Sequence, residues 1–522
     1  MKYYLLLLCY VAFVKCDKLK FVQTIWRHGD RAPGDLPYPL DKYDESYWPR
    51  GWSMLTTEGM KQMHDLGKFY RERYVEEDFI SSEFNSSEVY IQTSESDRAI
   101  QSAQAMLSGL YPPKDSDQFD DDINWHPVPV HGSEPTGKDM LLKPTSFDCP
   151  TYESSYDPIE TKLDSELMEE YKELVTFLQP VSGYGSNMTM KNAVDIADVQ
   201  LELLHNLDDQ PSWLSKKWDQ YDEKKTLEIL LKLKEKRRLN EFADPSLAKL
   251  VGGYLLGDWL KRLEQVQNGT QMERMIMYSA HDGTLLSLTG TMGVLDDEMI
   301  PYASALIMEV SEDDDKLYVK MYYRKTDYDS LKQDKDGDFK LKKLKFKCGE
   351  KCHLDEFIAE MKPQATYSKL DVYKQCGLQY CVQMLDDQPC LCVKCDKLRF
   401  VQTIWRHGDR APSQLPYPLD KYNESYWPRG WSMLTTQGMA QMFNLGKFYR
   451  ERYVDTGYIN REFKISEVYI QSSESDRAIQ SAQAMLSGLY PPKGSDLFNS
   501  AIYWQPVPVH GSQKLGKDMF IY

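Results

Sequence analysis

The chain has 522 residues, 63 of them basic and 80 acidic, for a formal net charge of −17, and an ordinary 41% are hydrophobic. That length holds roughly two to four domains with buried cores and excludes a peptide or a disordered tail. Its negative field repels nucleic acid and anionic membrane surfaces, so neither is expected as a partner, and any phosphate-bearing ligand needs a local basic pocket.

The first sixteen residues set Lys2 ahead of the apolar run YYLLLLCYVAFV, which is too short to span a bilayer and is laid out like a secretory signal peptide cut after Cys16. Lys15 stands where a lipoprotein signal wants a small residue. No later stretch approaches the length of a membrane span, so the mature chain is expected to lack a membrane anchor and to be secreted or held in a lysosome-like lumen. Sequons at Asn85, Asn187, Asn268 and Asn423 suit that address. So does the even set Cys149, Cys348, Cys352, Cys376, Cys381, Cys390, Cys392 and Cys395, which fits disulfides. Cys348 and Cys352 have no matching Cys/His pair at zinc spacing, and no metal is expected there.

KFVQTIW reads as a buried strand running into Arg27, His28 and Arg31. LTTEGMKQMHDLGKFYRERYV reads as a helix with Met60, Met63, Leu66 and Phe69 on one face, capped by Thr56 or Thr57. EVYIQTS is a second strand, and ESDRAIQSAQAMLSGL is a helix with Arg98 near its start, ended by Pro112 and Pro113. Over residues 121–270 the texture changes to charged amphipathic helices such as DVQLELLHNL and EKKTLEILLKLKEKRRL. This predicts a helical cap inserted into a sheet domain of residues 17–120 and 271–377. The basic run Lys232 to Arg238 reads as a solvated helix face. ERMIMYSA is a strand ending at His281 and Asp282, HDGTLLSLTGTMG a helix, and YASALIMEV with KLYVKMYYR an antiparallel pair around SEDDD. DKDGDF from Asp334 lacks the glycine and terminal Glu of a calcium loop and reads as an exposed hairpin turn. Strands alternating with helices predict an α/β fold with a doubly wound, mostly parallel sheet.

Beyond a Cys-rich linker, residues 378–395, the beginning of the chain returns. FVQTIWRHGDRAP occupies Phe21 to Pro33 and again Phe400 to Pro412, an offset of 379, and the match continues through SYWPRGWSMLTT, LGKFYRERYV, ESDRAIQSAQAMLSGLYPPK and HGS. Residues 396–522 are thus a truncated second copy of the first part of the sheet domain. Val14 to Cys16, the tail of the inferred signal, is repeated too, which points to duplication of a gene start. The copy supplies Arg406, His407, Arg410 and Arg477 but no counterpart of His281 and Asp282, so it is expected to be catalytically silent. Such a fragment exposes a sheet edge and apolar faces. It must pack on another surface, pairing of chains in a homodimer being one such arrangement, or it is a join of neighbouring genes.

Three strand ends carry the polar residues that stand out: Arg27, His28 and Arg31, then Arg98, then His281 and Asp282. In an open α/β sheet ligands bind beyond the carboxyl ends of the strands, so segments about 250 residues apart converge on one crevice. Three arginines can clamp phosphate oxygens in charge-assisted forks. A neutral imidazole can attack phosphorus, and neighbouring guanidiniums disfavour its protonated form. Asp282 can protonate the departing alkoxide. No metal or cofactor is required.

From Lys18 to about Cys376 the chain resembles the histidine acid phosphatases of the prostatic and lysosomal type. RHGDRAP at Arg27 to Pro33 matches that family's RHGxRxP signature, YSAHDGT from Tyr278 its HD signature, and SESDRAIQSA its third phosphate-arginine segment, with WHPVPVH and MYYR as further family-like stretches. The resemblance implies a phosphoglycerate mutase-like α/β domain with a helical cap, acting on small phosphate monoesters through a phosphohistidine, without metal. It implies His28 as nucleophile, Arg27, Arg31, Arg98 and His281 as phosphate ligands, and Asp282 as proton donor. It also implies disulfides joining Cys149 to Cys376 and Cys348 to Cys352. A family disulfide inside the cap has no matching cysteines here. Cys381, Cys390, Cys392 and Cys395 have no family counterpart, and their three pairings stay open. Because the cap sets the substrate, a phosphatase dedicated to inositol phosphates or lysophospholipids is the alternative enzyme, and a glycosylated binding protein the alternative without turnover.

His126 and His131 form a suggestive pair in WHPVPVH. Gln505 stands opposite His126 in the repeat and His510 opposite His131, so His126 reads as dispensable and His131 as structural or supporting.

Overall fold

The strand KLKFVQTIWR lies at the centre of the sheet because both its faces are apolar and must be covered. A computed structural model describes residues 17–113, 119–120, 123–326, 339–378, 400–493 and 497–512. The inferred signal peptide, the DKDGDF turn (except Phe339) and the cysteines Cys381, Cys390, Cys392 and Cys395 lie outside the described residues.

In chain order, β1 (Lys18–Arg27), α1 (Thr57–Tyr70), β2 (Val89–Thr93), α2 (Asp97–Leu110) and β3 (His131–Gly132) come first. Thr56 is the cap of α1, its side chain accepting from the Gly59 amide. The inserted part holds α3 (Pro150–Glu170), α4 (Lys172–Ser182), α5 (Met190–Asp195), α6 (Val199–Leu204), the ribbon β4 (Lys217–Trp218) and β5 (Lys224–Lys225), and α7 (Thr226–Asn240). Then follow α8 (Pro245–Gln267), β6 (Met275–Ala280), α9 (Asp282–Thr291), β7 (Ala305–Asp313), β8 (Lys316–Thr326), β9 (Phe339–Lys343), β10 (Cys352–His353), α10 (Leu354–Met361) and α11 (Lys369–Gln375).

The eight-stranded sheet runs β10-β8-β7-β1-β6-β2-β3, with β9 also on β8. β1, β6, β2 and β3 are parallel, and β7 onward is antiparallel, including the anticipated β7–β8 pair. One face packs on α1 and α2 through Met60, Met63, Leu66 and Met106, the other on α8 and α9 through Leu255, Trp259 and Leu285. The inserted helices enclose their own core around Leu174, Leu178, Ile196 and Leu230. Disulfides join Cys149 to Cys376 and Cys348 to Cys352. Among the described residues no helix is long and apolar enough to cross a membrane.

The turn after β1 has no room for side chains: a Cβ on Gly29 would lie 2.3 Å from the Gly59 carbonyl oxygen, and one on Gly59 2.2 Å from that of Asp30. This approach seats the turn on the N-terminus of α1.

The second copy keeps α12 (Thr436–Tyr449) and α13 (Asp476–Leu489), with a two-residue bridge between β11 (Gln471–Ser472) and β12 (His510–Gly511). It packs on the first copy, placing Met433, Phe443, Phe498, Ile502 and Trp504 in a core shared with α1 and α2. Over the described residues 400–406 its equivalent of β1 forms no strand. Phe400 is 78% exposed and Ile404 90%, where Phe21 and Ile25 are 1% and 0%. Among the described residues of the second copy no strands stand where β6 and β7 flank β1.

Candidate active site

Main-chain bonds fix the first strand end. The His28 amide donates to Ala280 of β6 and the Arg27 amide to Ser304 before β7, both at 3.0 Å. The His28 ring is buried, with Nδ1 2.8 Å from the Gly29 carbonyl oxygen and Nε2 accepting from Arg98 Nε at 3.0 Å. A guanidinium only donates and a carbonyl only accepts, so the proton lies on Nδ1 and the Nε2 lone pair faces the crevice. Burial, then the charge of Arg98, holds this imidazole well below the usual histidine range, and the Gly29 carbonyl only partly opposes them. The guanidinium effect expected from the neighbouring arginines is present, but burial is the larger cause.

His281 follows β6 in the same crevice, its ring centroid 5.4 Å from that of His28. Arg98 Nη2 is 3.4 Å from its Nδ1, and Ser94, just beyond β2, holds its Nε2 at 2.8 Å. Burial, then Arg98 and Lys143, depress its basicity strongly. Arg98 itself is pulled down to about 10 by burial and then by Arg31, so it stays charged in acid and neutral solution. Arg27 lies over the Tyr302 ring, 3.9 Å from its centroid, and donates to Ile300. Arg31, half-buried, donates to the Ala32 carbonyl 2.7 Å away.

Asp282 opens α9, where backbone N–H groups and the helix dipole favour a negative charge. Burial works to raise its pKa, but the Arg238 and Arg27 guanidiniums override this and hold it well below the usual carboxylate range. Arg238 Nε donates to Asp282 Oδ2 at 3.0 Å. This corrects the reading of Lys232 to Arg238 as a solvated face. Arg237 is paired with Glu160 and Asp164, and Arg238 with Asp282 and Glu241.

All six first-copy candidates, Arg27, His28, Arg31, Arg98, His281 and Asp282, therefore lie together, Arg31 near enough for its charge to act with those of Arg27, Asp282 and Arg98. Ser94, Tyr302 and Arg238 join them unannounced by any motif. A further tie is His205, from the insert, whose Nε2 bonds Asp30 in the RHGD turn at 2.6 Å. Among the described residues no group of three or more His, Cys, Asp or Glu is arranged to hold a metal ion.

The second-copy counterparts do not reproduce this site. His407 keeps its bond to Gly408 at 2.7 Å and Arg410 its bond to Ala411. Among the described residues no hydrogen bond joins Arg477 to His407, whose counterparts Arg98 and His28 are bonded. His131 and His510 lie outside the crevice, each against two carboxylates of the other copy. His126 is buried.

A family model described as the histidine phosphatase superfamily (branch 2) matches residues 18–324 and again 397–518. Lysosomal acid phosphatase of Homo sapiens is 34% identical over 325 residues, covering 59% of this chain and 71% of that protein. Prostatic acid phosphatase of Bos taurus is 30% identical over 321 residues, covering 60% and 78%. Among solved structures, the apo form of Hafnia alvei phytase aligns with a TM-score of 0.52 at 18% identity, covering 67% of this chain and 97% of that one, a likeness of fold.

Proposed function

Because the chain belongs to branch 2 of the histidine phosphatase superfamily, we propose that its first copy is an acid phosphatase that hydrolyses small phosphate monoesters through a phosphohistidine at His28. The observation that carries this reading is the Nε2 lone pair of a buried, neutral ring facing Arg98 at 3.0 Å. A phosphate dianion entering the crevice takes over the Arg98 donor and is gripped by Arg27, Arg31 and His281 as well. Nε2 attacks phosphorus, the bond from phosphorus to the leaving oxygen breaks, and Asp282 gives that oxygen a proton. Water then attacks the phosphohistidine, Asp282 takes the proton, and His28 is freed with inorganic phosphate.

Asp282 has to be loaded with a proton before the first step. Arg238 and Arg27 oppose this in the free site, whereas a bound dianion offsets their charge and raises the carboxyl's pKa. Acid solution completes the loading, so activity peaks in the acid range. The relatives named lysosomal acid phosphatase support a lysosomal or secreted address. Exposed sequons at Asn187, Asn268 and Asn423 and a half-buried one at Asn85 support glycosylation.

The test is hydrolysis of a chromogenic aryl phosphate at pH 5 with and without chelator, together with alkaline quenching to trap phosphohistidine. Turnover insensitive to chelator and label on His28 are expected, and His28→Ala should lose about 10⁴-fold or more. A folded protein without turnover would favour the binding protein, and loss on chelation would exclude the metal-free route.

A further inference from the structure

The two copies meet about a pseudo-twofold axis. Trp125 stacks on its own counterpart, Trp504, with ring centroids 4.4 Å apart and planes 10° from parallel. Around them contacts recur reciprocally at the repeat offset. His131 meets Glu474 and Asp476 at 3.3 and 3.1 Å, and His510 meets Glu95 and Asp97, both at 3.1 Å. The Gln101 amide donates to the Pro506 carbonyl and the Gln480 amide to that of Pro127, at 3.3 and 3.2 Å. The Phe498 ring packs on His64, and Phe119 on Phe443. Contacts of i with j repeated as j with i define an isologous interface. The face that the first copy turns toward the second is therefore complementary to itself.

In the second copy the uncovered stretch and the docking residues are different parts. The stretch 400–406, whose counterpart leads into the His28 turn, is largely uncovered, with Ile404 90% exposed. The docking side is intact: α13, Trp504 and His510 hold the positions that α2, Trp125 and His131 hold in the first copy.

We propose that residues 400–512 act as a tethered stand-in for a second copy of the first module, filling in cis a face built to pair with an identical face and so keeping two chains from pairing through it. This stands independently of the phosphatase reading. Tethering makes docking an intramolecular event at an effective concentration of about millimolar, which outcompetes a free chain at micromolar levels. Release would cost more than apolar contact, because each histidine is held between two carboxylates in a largely buried setting.

The symmetry is broken at Lys447, whose ammonium lies 3.6 Å from the Asp120 carboxylate; the repeat has Asn499 at the position of Asp120. Zero-length carbodiimide coupling of the full chain should join Lys447 to Asp120 in species that sediment as monomers. Finding that linkage only between chains, or not at all, would overturn the proposal. In the full chain Trp504→Glu should eject the second copy, leave the Trp125 face free, and double the sedimenting mass at micromolar concentration. The double variant Trp125→Glu, Trp504→Glu should remain monomeric. A Trp504→Glu chain that retains its near-ultraviolet circular dichroism and stays monomeric would also defeat the idea; if it fails to fold, the wild-type linkage decides.

Discussion

Arg238 reaches from the inserted helix α7 to donate its Nε proton to Asp282 Oδ2 at 3.0 Å, on the first turn of α9. The contact couples the insert to the group proposed to release a proton. Arg238→Gln removes a charge-assisted hydrogen bond that stabilises the carboxylate, worth about 1.5–3 kcal/mol. The Asp282 pKa should rise by about one to two units, and the alkaline limb of the kcat profile should move to higher pH with it. A limb that stays in place would show that another group titrates there.

Asp282→Asn tests the proton donor through the leaving group. Esters of alkyl alcohols should slow by about 10²–10⁴-fold, while an activated aryl ester, whose phenolate departs without help, should slow far less. Comparing kcat for the two classes gives the answer, and equal losses would remove Asp282 from that role.

The second copy should contribute nothing to turnover. His407→Ala should leave kcat and KM unchanged in the full chain, where His28→Ala removes the rate, because among the described residues Arg477 does not bond His407 as Arg98 bonds His28. A marked fall in a folded His407→Ala protein would show that the copies act together.

Docking of the copies should depend on pH. Burial opposes the charge on His131 and His510, yet Asp476 with Glu474, and Asp97 with Glu95, raise each to about 9. The other faces of the two rings stack on Tyr90 and Tyr469. A histidine released into water titrates near 6.5, so this stabilisation is fully present below about pH 6.5 and is lost as pH rises through about 9. Limited proteolysis of residues 400–512 should therefore quicken between pH 7 and 10. The double variant His131→Gln, His510→Gln should be cleaved at a rate nearly independent of pH, and equal pH slopes in both proteins would count against the coupling.

The Cys149–Cys376 bridge closes a loop with a sequence separation of 227 residues. Chain-entropy arguments give such a loop about 5 kcal/mol as an upper figure, with typical measured values of about 2–4 kcal/mol. The Cys149→Ser, Cys376→Ser chain should melt several degrees lower in calorimetry, and an unchanged melting temperature would show that the native state does not depend on this bridge.

What the sequence discloses and what it withholds divide along physical lines. Arg27, His28, Arg98, His281 and Asp282 were legible because each stands at a strand end or in the first turn of a helix, where local pattern fixes position. Arg238 was not, since in LKEKRRL adjacent basic residues look alike and only packing turns Arg237 to Glu160 and Arg238 to Asp282. Tyr302, Ser94 and His205 likewise owe their places to neighbours distant in sequence. FVQTIWR is the sharpest case. The same seven letters make a buried strand at residues 21–27 and no strand at 400–406, because a strand exists only where other strands satisfy its backbone.

The Gly29–Gly59 approach recurs at Gly408 and Gly438, where a Cβ on Gly408 would stand 2.4 Å from the Gly438 carbonyl oxygen. The turn thus keeps its shape although the described residues 400–406 that lead into it form no strand. In both copies the first glycine amide also donates to a serine of the next helix, Gly29 to Ser102 and Gly408 to Ser481, each at 3.1 Å, so the turn and its two helices form one unit that recombination can move as a piece. Selection can then work separately on where the turn is mounted and on which partners complete it.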